Sequence, residues 1–77
     1  MQTPIYTIKD KLVGYGQPYT KYNEDVAKRD FKNAMANQPI KDDLELYVIG
    51  SYDDTTAEIK MLPQPELIMK GDSIDGE

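Results

Sequence analysis

Ile5-Tyr6-Thr7-Ile8 is a β-branched and aromatic run near the start of the chain, the composition of a strand. The polar Lys9-Asp10-Lys11 suits a turn, and Leu12-Val13-Gly14-Tyr15-Gly16 then resumes extended character. Pro18 biases Gln17 towards extended geometry, so residues 4–19 are predicted to form a hairpin of two strands. Gly14 and Gly16 flank Tyr15 and mark a bulge, or a place where another backbone comes close. From Asn23 the period changes to that of a helix. Asn23 is a good N-cap, and Glu24 and Asp25 follow it where the helix dipole favours acids. The helix is predicted over 24–36, stopping before Gln38-Pro39. At helical spacing Val26, Ala27, Phe31, Ala34 and Met35 share one face, while Asp25, Lys28, Arg29, Lys32 and Asn33 share the other. Glu24–Lys28 and Asp25–Arg29 are i,i+4 ion pairs in the favourable orientation. Asp30 falls inside the apolar arc, for no reason visible locally.

Lys41-Asp42-Asp43 reads as a loop, and Leu44 to Tyr52 is the strongest strand. Its unbroken Leu46-Tyr47-Val48-Ile49 predicts a central position with both faces at least partly covered. Asp53-Asp54-Thr55-Thr56 is turn chemistry, and Ala57 to Met61 alternates apolar with polar, giving a second hairpin over 44–61. Pro63-Gln64-Pro65 reads as an extended break, and Leu67-Ile68-Met69 as a short edge strand or a packing arm. Residues 1–70 thus form one α+β domain of order ββαββ, with the helix on an antiparallel sheet, and 71–77 are expected to be a disordered acidic tail. A single helix covers only one sheet face. Tyr47 and Ile49 point opposite to Leu46 and Val48, so a homodimer or higher homo-oligomer is expected, with Tyr6, Ile8, Tyr47 and Ile49 as candidate interface residues.

Composition removes most chemistry. Among 77 residues, 39% hydrophobic, there is no cysteine and no histidine. Disulfides, the usual zinc ligand sets, Ser-His-Asp triads and Cys-His dyads are therefore excluded. A carboxylate-only mechanism is formally open, but so short a chain rarely shields two carboxylates from water. A non-enzyme without metal or cofactor is expected. Asp53-Asp54 sits at a hairpin tip, where turn chemistry explains it better than a metal cage. Gly14-x-Gly16 lacks the third glycine and following helix of a nucleotide fingerprint. No apolar run approaches the ~20 residues that span a bilayer, and the N-terminus lacks a signal-peptide pattern, so an intracellular chain with no membrane partner is expected.

The net charge of −5 hides a split. Residues 1–41 carry seven cations against four acids, a balance of +3, and residues 42–77 carry two against ten, a balance of −8. Three readings are open: ordinary surface composition, self-association of unlike halves, or a basic face for phosphates. Tyr15, Tyr19 and Tyr22 lie among Lys9, Lys11, Lys21 and the helix cations Lys28, Arg29 and Lys32. That interleaving is what a single-strand stacking groove needs, although tyrosines also suit strands and interfaces for packing reasons alone.

Pro4-Ile5-Tyr6-Thr7-Ile8-Lys9-Asp10, then Gln17-Pro18-Tyr19, then Arg29 and Phe31, resemble the first half of the small nonstructural protein of gokushoviruses, single-stranded DNA phages of the Microviridae. Leu46-Tyr47-Val48-Ile49-Gly50-Ser51-Tyr52-Asp53-Asp54-Thr55-Thr56, followed by Glu58-Ile59, resembles its second half. The family pattern usually carries glycine where this chain has Ala57. The resemblance covers about residues 4–69 and implies a non-virion accessory protein, described as DNA-binding, acting in genome replication or packaging in the bacterial cytoplasm. Two functions follow as expectations. One is a single-stranded DNA binder using Lys9, Lys11, Tyr15, Tyr19, Lys21, Tyr22, Lys28, Arg29 and Lys32. The other is an interaction module for phage replication or coat proteins that never touches DNA.

Overall fold

The computed structural model describes residues 1–73. It is an α+β fold in which five antiparallel strands carry one helix. Strand β1 (Gln2–Asp10) lies in the middle of the sheet. On one side it meets its hairpin partner, which is broken into β2 (Gly14–Tyr15) and β3 (Tyr19–Thr20). The break at Gly16-Gln17-Pro18 turns the expected ββαββ order into three strands, a helix and two strands. On its other side β1 pairs along its whole length with β4 (Leu44–Asp53), and β5 (Glu58–Lys70) forms the far edge.

Helix α1 (Glu24–Met35) begins where the sequence places it, with the Asn23 side chain accepting the Val26 amide at 2.9 Å. Its buried stripe is Ala27, Phe31 and Met35; Ala34 is exposed, so the packed arc is narrower than the apolar one. These three side chains close a core with Tyr6, Leu44 and Leu46, and Ile8, Tyr19, Val48, Ile68 and Met69 pack around it. Asp30 has its reason in a long-range partner. Its carboxylate takes the Lys21 ammonium at 2.8 Å, tying the helix to the chain just after β3.

Several expectations need correcting. Leu12 and Val13 are not strand residues but the tip of the β1–β2 turn, with their side chains 82% and 86% exposed. Tyr6, expected at a subunit interface, is only 1% exposed beneath α1, and Ile8 packs on the same core. Residues 63–65 do not end the second hairpin. Strand β5 runs through both prolines because it is an edge strand, where a missing N–H costs no ladder bond. Residues 62–65 bulge between the pairs Gly50–Met61 and Val48–Glu66. Gly71–Ser73 form a 3-10 turn, so the ordered chain passes the expected boundary at 70, and residues 74–77 of the expected acidic tail lie outside the described residues.

The β4–β5 turn is held by the Thr55 amide donating to the Asp53 carboxylate at 2.9 Å and the Ala57 amide donating to the Asp53 carbonyl at 2.7 Å. Ala57 has φ +63°, the left-handed region that disfavours a Cβ by roughly 1–2 kcal/mol. Glycine gives back part of that gain through its looser unfolded chain. Ala57→Gly is therefore expected to stabilise the fold by about 0.5–1 kcal/mol, read as a higher urea midpoint at unchanged slope.

Candidate functional site

Strand alternation and register assign the two sheet faces. Tyr6, Ile8, Leu46 and Val48 point to α1. Thr7, Lys9, Tyr15, Glu45, Tyr47, Ile49, Met61 and Leu67 point the other way, where the sheet curls into a groove of about 260 Å³. Thr7, only 2% exposed, lines it with Ile49; Tyr15 and Gly16 line it on the β2 side, and Met61 to Pro65 on the β5 side.

Two local devices shape this groove. The Gly16 amide donates to the Ile8 carbonyl at 2.8 Å, and the Thr7 hydroxyl donates to the Gly16 carbonyl at 2.9 Å. The hairpin return is thus drawn over β1, the close approach that the glycine pair foreshadowed. On the other side, Gly50 lets β5 come close, since a Cβ there would overlap the Lys60 carbonyl oxygen.

At one end of the groove, register sets Tyr15, Lys9, Glu45 and Lys70 in a row across four strands. The Lys9 ammonium lies 5.1 Å from the centre of the Tyr15 ring, and Tyr15 meets Tyr47 in an edge-on arrangement at 5.5 Å between centroids. The Tyr47 hydroxyl donates to Glu45 at 3.1 Å. Its pKa is raised, first by burial and then by the carboxylate that accepts its proton. Tyr15 remains 49% exposed, so ring surface is left for a ligand.

The nine candidate nucleic-acid residues do not share one surface. Lys9 and Tyr15 lie on the groove face, and Lys11 is exposed at the turn beside them. Tyr19 and Lys21 lie on the helix side, with the Lys21 ammonium 5.6 Å from the Tyr19 ring centre. Burial raises the Tyr19 phenol. Tyr22 is exposed just ahead of α1, and Lys28, Arg29 and Lys32 are on the helix itself.

The helix cations are largely answered by acids. Lys28 pairs with Glu24 at 3.1 Å as expected, whereas Arg29 turns to Asp30 at 3.3 Å rather than to Asp25. Hydrogen bonds from Lys21 first, and then Arg29, hold the Asp30 carboxyl below the usual range. Of the expected interface residues, Tyr47 and Ile49 do lie on the groove face. Glu45, Met61, Pro63 and Gln64 are groove-face or lining residues that sequence reasoning passed over. The alternation from Ala57 to Met61 was the one signal for Met61.

None of the described helices is long and apolar enough to cross a membrane. Residues 3–74 match the family model described as phage ORF5 protein. No curated protein and no solved structure matches.

Proposed function

We propose that this chain, which belongs to the phage ORF5 protein family, is a non-catalytic single-stranded DNA-binding accessory protein of a gokushovirus-like phage, acting in genome replication or packaging in the bacterial cytoplasm. The observation that carries the reading is the Lys9–Tyr15–Tyr47 array on the sheet face left open by the helix. Single-strand binders combine a cation for the phosphate with an aromatic ring for the base, and this array holds both in contact. The acidic net charge does not oppose it. Among strand residues with a described partner, Glu45 is the acid on this face, and Lys9 and Lys70 flank it in the same row.

Fluorescence anisotropy of a labelled single-stranded oligonucleotide tests the reading. Binding is expected to weaken as salt rises, because each neutralised phosphate releases counterions. Tyr15→Ala is expected to cost about 1–3 kcal/mol of binding, the range for one stacked base, while Lys32→Gln on the opposite side changes little. Absence of binding at low salt overturns the proposal. The paired state of Lys21, Lys28 and Arg29 favours a second reading, an interaction module for phage replication or coat proteins. Absence of DNA binding would move the search there.

A further inference from the structure

The turn between β1 and β2 exposes two aliphatic side chains that no described residue covers. Leu12 and Val13 are 82% and 86% exposed, beyond Met61 and Ile59 at 61% and 59%. Their backbone is nevertheless fixed. The Leu12 amide donates to the Asp10 carboxylate at 2.9 Å, the Val13 amide to the Asp10 carbonyl at 3.1 Å, and the Lys11 amide to the Asp43 carbonyl at 2.8 Å. The tip is held out rigidly, so little ordering entropy remains to be lost when it docks.

The same molecule carries a cleft of matching character. The groove of about 260 Å³ is lined by Tyr15, Ile49, Met61, Leu62 and two prolines, with no charged side chain among the described residues of its wall. It falls below the ~300–1,000 Å³ usual for small-molecule sites, a scale that suits a short apolar anchor better than a drug-sized ligand. The cations of this face, Lys9 and Lys70, stand outside that wall in the row at one end of the groove, so a phosphate would be held beside the groove and not inside it.

We infer that a second copy of this chain fills the groove. Each copy's Leu12-Val13 tip inserts into the other's groove about a two-fold axis, so that tip meets groove twice in one closed dimer. A second copy is the occupant the molecule itself argues for, because one chain supplies both halves of the contact. Need points the same way. Among the described residues seven hydrophobic side chains are buried, and a core this thin commonly leans on oligomerisation. This inference does not rest on DNA binding, although Tyr15 lines the groove and also carries the proposed DNA contact, so a docked tip and a stacked base share that ring. It moves the subunit contact away from Tyr6 and Ile8 to the turn tip and the β5 side of the groove, and retains Ile49.

Light scattering coupled to gel filtration tests it on the full chain at about 100 μM, a concentration that populates a micromolar dimer. Wild type is expected to run at twice 8.8 kDa. Leu12→Ser with Val13→Ser, and separately Met61→Gln, are expected to yield monomers with unchanged far-UV circular dichroism, since all three positions are more than 60% exposed. A monomeric wild type overturns the inference, as does a dimer that survives both variants. A mass that keeps growing with concentration overturns the reciprocal arrangement, because a non-closing contact builds filaments.

Discussion

Replacing Gly71 with alanine is expected to cost about 3 kcal/mol, at the upper end of what forcing extra volume into a packed site removes. A Cβ at Gly71 would overlap the Lys41 carbonyl oxygen and come within 2.8 Å of the Leu44 carbonyl oxygen. Both obstacles are backbone, so no side chain can rotate away. Either the end of β5 must lift from the 3-10 turn Lys41–Asp43, or that turn must move and carry the start of β4 with it. Urea unfolding would show a lower midpoint. Hydrogen exchange should quicken first at the amides of Leu44, Glu45 and Met69. Near-wild-type stability would mean that Gly71 does not pack against the Lys41–Asp43 turn.

Phe31→Ala is expected to cost still more, about 3–5 kcal/mol, the range for removing a buried aromatic. Phe31 is 2% exposed and is the largest side chain that α1 contributes to the core it shares with Tyr6 and Leu46. A single core of this size supplies roughly 3–5 kcal/mol, so the isolated variant should be largely unfolded. Loss of the near-ultraviolet tyrosine signal at 25 °C checks this. Phe31→Leu, which keeps most of the volume, should remain folded and locate the effect in packing.

Local chemistry was readable wherever its cause was local. Asn23 capped the helix it was expected to cap, and Glu24 found Lys28 one turn on. Asp30 resisted because its partner, Lys21, lies nine residues back, outside the helix in the segment that follows β3. Alternation correctly separated Leu46 and Val48 from Tyr47 and Ile49, but alternation alone does not say which face a helix will choose. Tyr6 was therefore assigned to an interface although the core needed it. The prolines of β5 looked like an interruption, since their tolerance depends on the strand being at an edge, a property of the whole sheet. The candidate site suffered in the same way. Cations and rings were found by type, but only the fold shows that Lys9 and Tyr15 stand together while Lys28, Arg29 and Lys32 face elsewhere.

The pairing of β1 with β4 also has a consequence in time. It joins Asp10 to Leu44 and Gln2 to Asp53, so the sheet's longest-range ladder closes loops from 34 to 51 residues apart in a 77-residue chain. Topologies dominated by such distant contacts fold in milliseconds to seconds rather than microseconds. During synthesis β1 emerges with one edge satisfied by its short hairpin return and the other bare, and it must wait for β4 before its ladder is complete. The slow step in making this protein is thus the meeting of its two inner strands, and substitutions that strengthen that encounter should speed folding more than those that improve the helix.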